Sequence, residues 1–245
     1  MTYKLHSLWK IEKLIRPSVN TKCNPNNNIR WISHHIPKTA GSSLRFSFQK
    51  AVGKLNVFGV YATSGASALS KGEPIWVPAK AVFLHGHFRP HPIHLDFYPN
   101  AKRLVWVRDP IERIWSLVGH LLSEGSSHPQ HQILQNIYLS KGVTNREDIV
   151  YDLILNGRAE VLTHIYKRFF SKVPIENFAF VGSVHRYDES IQELSNLLDM
   201  DIGKEFRNVR NKAGADIPTK ILGLKDKLSA EYSIVDAYLQ NIGRI

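Results

Sequence analysis

The chain has 245 residues, of which 43% are hydrophobic and 22% are charged, and this composition excludes a collagen-like, coiled-coil or wholly disordered protein. Lys and Arg total 32 against 21 Asp and Glu, and the net charge of +11 favours an anionic partner without specifying which one. Cys23 is the single cysteine, which excludes an intrachain disulfide and a thiolate metal cluster built by this chain alone.

The first 29 residues are predicted to be an amphipathic segment and a loop, and residues 30–245 to be a single domain. In residues 1–16 apolar side chains recur at helical spacing beside Lys and Arg, so this helix either packs on the domain or touches a membrane, and packing is favoured. Residues 17–29 are rich in Pro and Asn and predict a loop. No run approaches the roughly 18 apolar residues of a membrane span, and the start lacks the apolar core of a secretory signal. A cytoplasmic location is expected.

Apolar runs alternate with helical patterns from residue 30 onward. Strands are predicted at 31–36, 56–61, 80–87, 102–108 and 177–184. Helices are predicted at 41–52, from Pro110 to 122, twice between 146 and 170, and at 188–198 and 225–241, with a loop from 61 to 78. This alternation predicts an α/β fold of P-loop-like type, in which helices cover both faces of a mostly parallel sheet. Ligands of such folds bind at the carboxyl ends of the strands.

A polar segment joins the first predicted strand to its helix: Pro37, Lys38, Thr39, Ala40, Gly41, Ser42 and Ser43. The free N–H groups and dipole of a helix start make such a turn an anion site. Lys38 adds a positive charge, the small Ala40 and Gly41 let a phosphate approach the backbone, and the three hydroxyls can donate hydrogen bonds. The lysine precedes the glycine, unlike Gly-x-x-x-x-Gly-Lys-Ser/Thr, and an ordinary ATPase is therefore disfavoured.

A second basic motif follows the strand at 102–108. Arg108 ends the strand, and Ser116 stands eight residues later on the next helix. A guanidinium binds phosphate oxygens bidentately, and a hydroxyl nearby adds a donor. Arg113 of this helix is expected to pair with Asp109 or Glu112 as local scaffolding.

The segment 207–214 is basic and contains a glycine, and its composition is typical of a solvated charge run.

Two histidines close the strand at 80–87. Period-two geometry puts His85 and His87 on one face, and a neutral imidazole accepts a proton near pH 7. His87 is favoured as a general base with His85 as its support. Two alternatives remain: hydrogen-bonded packing histidines, or a metal site that also uses His91 and His94, although no carboxylate or cysteine stands at an obvious ligand spacing.

The run from His35 to Ser43 resembles the 5′-phosphosulfate-binding loop of carbohydrate sulfotransferases, particularly the family of heparan sulfate 2-O-sulfotransferase, and His85-Gly86-His87 is similar to the two-histidine segment of that family. The resemblance implies 3′-phosphoadenosine 5′-phosphosulfate (PAPS) as sulfuryl donor, 3′-phosphoadenosine 5′-phosphate (PAP) as product and no metal. It implies that Arg108 and Ser116 bind the 3′-phosphate, that a histidine is the base, and that Lys38 stabilises the leaving phosphate. Because many relatives use a glutamate base, Asp96 is a reserve candidate. A late basic loop folds over the nucleotide in relatives, which makes Arg210 and Lys212 nucleotide-binding candidates, with a solvated charge run as the equal alternative. The implied acceptor is a hydroxyl, on a glycan or glycan precursor. Its candidate contacts are Arg89, His91, His94 and residues 125–131.

Two other functions remain open at this stage. A P-loop nucleotide kinase or NTPase is disfavoured by the absent Gly-Lys-Ser/Thr ending and by the lack of an acidic Mg²⁺ ligand after a second strand. A non-catalytic polyanion-binding protein would use the net positive charge alone. No helix-turn-helix, zinc-finger or aromatic RNA-binding motif is present, and a nucleic-acid partner is not expected.

Overall fold

Parallel strands form the centre of the molecule. The computed structural model describes residues 2–203 and 217–240. Within these ranges the strands are β1 (Trp31–His34), β2 (Val57–Val60), β3 (Phe83–Gly86), β4 (Lys102–Val107) and β5 (Phe180–Ser183). Their order is β2-β3-β1-β4-β5, and every pairing is parallel. The predicted α/β class with a parallel central sheet is confirmed.

Helices cover both faces of the sheet. On one face, α2 (Gly41–Val52) and α10 (Tyr187–Leu198) pack against alternate residues of the strands, including Trp31, Phe83 and Trp106. On the other face lie α1 (Thr2–Ile15), α3 (Ala66–Lys71), α4 (His94–Phe97), α9 (Ile165–Phe169) and α12 (Ser229–Gln240). The alternation arises because successive strand residues point to opposite faces.

A second helical group packs beside this sandwich around its own apolar cluster. It comprises α5 (Pro110–Glu124), α6 (His131–Ile137), α7 (Arg146–Leu155), α8 (Glu160–Thr163) and α11 (Thr219–Leu222). Helix α5 begins where the sequence indicates, because Asp109 Oδ1 accepts a hydrogen bond from the Glu112 N–H at 3.0 Å and Pro110 occupies the first turn.

The amino-terminal helix docks on the domain as expected. The Trp9 ring lies 5.3 Å from the Phe58 ring of β2, and a Glu12 carboxylate oxygen accepts the Ala79 N–H at 2.6 Å. Residues 17–30 form no helix or strand apart from a bridge between Thr21 and Asn24, so the predicted loop is confirmed. Among the helices in the described ranges, none is long and apolar enough to cross a bilayer.

Candidate active site

The carboxyl end of β1 is the centre of the site. Its neighbours are β3 on one side and β4 on the other, with His34 in register with both Gly86 and Val105. The His35 N–H donates to the Gly86 carbonyl at 2.8 Å. Consequently the loop after β1 lies between the end of β3, which carries the histidines, and the end of β4, which carries Arg108.

The loop reaches α2 through two residues in the left-handed region. Lys38 has φ 73° and Ala40 has φ 63°, and such backbone costs a non-glycine residue about 1 kcal/mol each. Helix α2 then begins at Gly41 with no side-chain hydrogen bond at its N-cap. The N–H groups of Gly41 and Ser42 belong to a first turn whose donors have no acceptor within the helix. The strained turn therefore presents a helix start on which an anion fits.

Thr39 supports this loop from inside. Its side chain is buried, and its hydroxyl donates to the Ile36 carbonyl at 2.8 Å. This bond uses the one hydroxyl proton within the loop, and the predicted contact of Thr39 with a phosphate stays a prediction. Ser42 is exposed, whereas Ser43 is buried. The structure thus leaves Ser42 as the outward hydroxyl of the segment.

A glycine is needed at position 41 because the His35 ring packs against it. A Cβ at this position would collide with the His35 imidazole, so the absence of a side chain makes room for that ring. From the sequence, Gly41 has one predicted role, which is to let a phosphate approach the backbone. Close packing between His35 and the first residue of α2 instead ties the end of β1 to the helix start.

Three imidazoles stack at this point. The His35 ring lies 4.2 Å from the His87 ring and 5.5 Å from the His85 ring, between centroids. His85 is fully buried, and its Nδ1 lies 3.0 Å from the Ser33 hydroxyl across the β1–β3 pairing. His87 is exposed at the strand end and packs on His35 and Tyr61. The period-two prediction that His85 and His87 share a face is consistent with this stack.

All three imidazoles are held neutral near pH 7. Burial lowers the pKa of His85 to about 3 and that of His87 to about 4, and it lowers the pKa of His35 well below its ordinary value. Nearby positive charge acts in the same direction: Arg45 lowers the pKa of His85, and Lys38 lowers that of His35. A neutral, exposed His87 is therefore able to accept a proton, whereas buried His85 is placed to hold it.

A charged cluster occupies the ends of β4 and β5. Arg108 Nε lies 3.1 Å from Glu112 Oε2, and His185 Nε2 lies 3.2 Å from Glu112 Oε1. The hydrogen bond to Glu112 raises the pKa of His185. Burial raises the pKa of Glu112, but the hydrogen bond from His185 and the charge of Arg108 outweigh this effect and lower it. Arg108 and His185 thus flank one carboxylate beside the loop.

The backbone of Arg108 is fixed by a tyrosine. The Tyr166 hydroxyl accepts the Arg108 N–H at 2.9 Å and donates to the Arg108 carbonyl at 2.6 Å. Ser116 lies one turn beyond Glu112 on α5 and is half-buried. Among the described residues its hydroxyl has no hydrogen-bond partner. Arg108, Glu112 and Ser116 therefore follow one another along a single side of the strand-to-helix turn.

Arg113 is placed differently from the expectation. Its guanidinium is buried and donates to the Leu162 carbonyl, near Tyr166 and Glu231. The predicted pairing with Asp109 or Glu112 is wrong, because this side chain points inward from α5. Arg210 and Lys212 lie outside the described residues.

The predicted acceptor side is corrected at two residues. His94 is fully buried, and its Nε2 donates to the Leu69 carbonyl at 2.8 Å, so it is a packing residue. Asp96 faces Lys22 at 4.0 Å, beside the segment that precedes β1, and it is therefore wrong as a reserve base. Arg89 is exposed and His91 half-buried, and both roles stay predictions.

The segment 125–131 lies within electrostatic reach of the histidines. After burial, the interaction with His128 is the next influence that lowers the pKa of His87. The His128 ring packs 5.7 Å from that of His120 on α5. A role of this segment on the acceptor side stays a prediction.

Sequence reasoning missed His35 and His185 as members of the site. Each directly follows a strand, by one and two residues respectively, so the rule that sites collect at the carboxyl ends of parallel strands was a signal for both. Within the described ranges, no group of three or more His, Cys, Asp or Glu side chains is placed to hold a metal ion.

Comparisons with known proteins were made for the whole chain. No family model matches the sequence, and no curated protein matches it. Among solved structures, a sulfotransferase from Alicyclobacillus acidocaldarius is similar at 13% sequence identity with a TM-score of 0.46, covering 87% of this chain and 96% of that chain. A likeness of this level does not bear on the activity of this chain.

Proposed function

We propose that the protein is a PAPS-dependent O-sulfotransferase whose acceptor is a hydroxyl of a glycan or glycan precursor. One observation carries the proposal: the loop after β1, which leads into the uncapped start of α2, lies between Arg108 at the end of β4 and the histidines at the end of β3. A donor with a 5′-phosphosulfate and a 3′-phosphate needs two anion sites side by side, and a transfer reaction needs a base next to the first. The strand order supports this division into two flanks.

Each flank has residues of suitable chemistry. The uncapped start of α2 and Lys38 would hold the 5′-phosphosulfate, and Arg108 with Ser116 would hold the 3′-phosphate. In the structure Arg108 forms an ion pair with Glu112. A dianionic phosphate would compete with this one carboxylate, and His185 would keep Glu112 paired when Arg108 turns to the phosphate.

The proposed reaction is an in-line displacement. His87 takes the proton of the acceptor hydroxyl while that oxygen forms a bond to sulfur, and the bond between sulfur and the 5′-phosphate oxygen breaks. The donor supplies the sulfuryl group and leaves as PAP with the electron pair. Lys38 and the N–H groups of the α2 start stabilise the charge that develops on the leaving phosphate. The His87 proton then passes to solvent, which the residue meets at the exposed strand end.

The base strength of His87 follows from its surroundings. A pKa of about 4 makes the free ring neutral but weakly basic. An anionic donor beside the stack raises this pKa, because opposite charge favours the protonated imidazole. Basicity is therefore expected to rise when the donor is bound.

Calorimetric binding of PAP and of ADP tests the donor site. We expect the wild type to prefer PAP at least tenfold, and Arg108→Ala to weaken PAP binding by about 2 kcal/mol, the value of a charge-assisted hydrogen bond, while ADP binding changes less. Arg158→Ala is the matched control, because Arg158 pairs with Asp152 at 3.1 Å on the helical group around α7. Equal affinity for PAP and ADP would return a kinase or NTPase to first place. Steeply salt-dependent binding without preference for either nucleotide would indicate a polyanion-binding protein.

A further inference from the structure

Helix α1 keeps an apolar side in solvent although it is docked. Trp9 and Glu12 face the domain, whereas Leu8, Ile11, Leu14 and Ile15 are 54%, 55%, 82% and 74% exposed. Residues 8, 11 and 15 lie on one stripe of the helix. The stripe continues into an apolar groove of about 400 Å³ that also involves Leu55, Pro78 and Lys80.

A polar cavity adjoins the groove at the end of α1. It measures about 320 Å³, and its polar lining consists mainly of Arg16, Asn20, Asn24, Asn26, Asn28 and Trp76. Ile15 and Arg16 line both cavities. The Trp76 indole N–H donates to the Arg16 carbonyl at 2.7 Å, which fixes this tryptophan against the helix end. An apolar groove that passes directly into an amide-lined pocket matches a molecule with an apolar and a polar end.

The charges around this surface are mostly positive. Lys10 and Lys13 are exposed, and neither forms an ion pair with a described residue. Glu12, the one acidic residue of α1, points towards the domain, where it accepts the Ala79 N–H and lies 3.7 Å from Arg16. Two copies of the chain placed face to face here would bring these lysines together, which disfavours a dimer. An anionic surface is the complementary partner.

We propose that the α1 stripe and the adjoining polar cavity form a docking surface for an anionic phospholipid membrane. Leu8, Ile11, Leu14 and Ile15 enter the interface, Lys10 and Lys13 approach the headgroup phosphates, and the pocket at Arg16 receives a headgroup. The surface lies against Leu55, Pro78 and Ala79, which precede β2 and β3. It is therefore at the opposite end of the strands from His87 and does not rest on the proposed function.

Co-sedimentation of the full chain with vesicles tests the proposal. Phosphatidylcholine vesicles are compared with vesicles that contain phosphatidylglycerol as well. We expect binding to the anionic vesicles only, a loss of about fivefold per charge in Lys10→Gln/Lys13→Gln, and at least a tenfold loss in Leu8→Gln/Leu14→Gln. All of these side chains are exposed, so the variants are expected to keep the wild-type melting temperature.

Matched controls lie elsewhere on the surface. Leu222→Gln replaces a leucine of similar exposure, 49%, and Lys71→Gln/Lys141→Gln removes the same net charge from exposed positions. Equal losses in these controls, or equal binding to neutral vesicles, would overturn the proposal. So would a concentration-dependent dimer that Leu8→Gln/Leu14→Gln dissociates, because a second copy would then cover the stripe.

Discussion

At the scale of single residues, His87 and His85 differ in exposure although they share a strand face. His87 is exposed as a residue while its ring packs on His35 and Tyr61, whereas His85 is enclosed and its Nδ1 lies 3.0 Å from the Ser33 hydroxyl. We expect His87→Gln to lower kcat of sulfuryl transfer about 100-fold or more with PAP affinity unchanged, because a general base acts only on the chemical step. His85→Gln is expected to lower kcat less. Release of PAP under saturating acceptor measures both rates.

A histidine outside the stack is the control for this experiment. His164→Gln, between α8 and α9, changes an imidazole that bonds the Thr163 hydroxyl at 2.9 Å and is not one of the three stacked rings, and we expect wild-type kcat. A larger loss in His85→Gln than in His87→Gln would reverse the two roles. Unchanged kcat in both variants would show that neither histidine is the general base.

The sequence located the strand-end histidines but not their neighbours. Period-two spacing suffices to put His85 and His87 on one face. It says nothing of His35, whose ring position depends on the turn through Lys38 and Ala40 and on the bare Cα of Gly41. His94 was misjudged for a related reason, since it lies on a single helical turn that packs inward.

At the scale of elements, α12 and α9 hold the strand-to-helix turn at Arg108. Buried Glu231 of α12 accepts the N–H groups of Tyr166 and Lys167 at 2.8 Å each, at the start of α9. Tyr166 in turn bonds the backbone of Arg108, and the Tyr232 hydroxyl donates to Asp109 Oδ2 at 2.8 Å. A helix far along the chain thus positions the predicted 3′-phosphate site.

Removal of one hydroxyl tests this link. Tyr166→Phe deletes both bonds to the Arg108 backbone, and we expect PAP affinity to fall about tenfold with a stability loss of about 1–3 kcal/mol. Tyr138→Phe is the matched control, because its hydroxyl bonds Asp152 at 2.7 Å away from the turn. Calorimetry and urea unfolding separate the two effects. If both variants lose stability alike and PAP affinity stays the same, Tyr166 does not position Arg108.

Long elements were predicted well, and short ones were missed. Helix α2 has the predicted bounds, since a 12-residue amphipathic run shows its period clearly. Helices α3, α4, α6 and α11 have 4 to 7 residues each, which is at most two turns. Such helices are stabilised by packing rather than by their own sequence, and no pattern marks them reliably.

At the scale of the whole molecule, buried neutral histidines make stability depend on pH. Burial lowers the pKa of His85 to about 3 and of His94 to about 4, and lowers those of His34 and His35 well below the ordinary value. Below about pH 6.5 these histidines bind protons in the unfolded chain, whereas they stay neutral in the folded chain. The free energy of unfolding should therefore have its highest value above pH 6.5. It should fall towards pH 4 by up to about 1.4 kcal/mol per pH unit for each histidine.

Urea unfolding at pH 7.5 and pH 5.5 measures this slope. His94→Gln should lower the slope by the share of one proton. Equal free energies of unfolding at the two pH values would show that the four imidazoles already carry their protons when folded.

The order of the strands in the sheet could not be predicted from the sequence. The alternation of strands and helices indicates a parallel sheet, but it does not say that β1 lies between β3 and β4. That order depends on which apolar faces fit together in three dimensions, through contacts between residues distant in the chain. The two flanks of the loop therefore became visible only in the structure.

The central place of β1 has a consequence for protein engineering. Under the proposed function, groups that hold the nucleotide lie at the ends of β1, β4 and β5, and the histidines that meet the acceptor lie at the end of β3. These two sets meet where the His35 ring packs on the His85 and His87 rings. New acceptor preferences can accordingly be sought by recombining segments from residue 57 to 100 while the nucleotide half and the packing of His35 on the two histidines are kept intact.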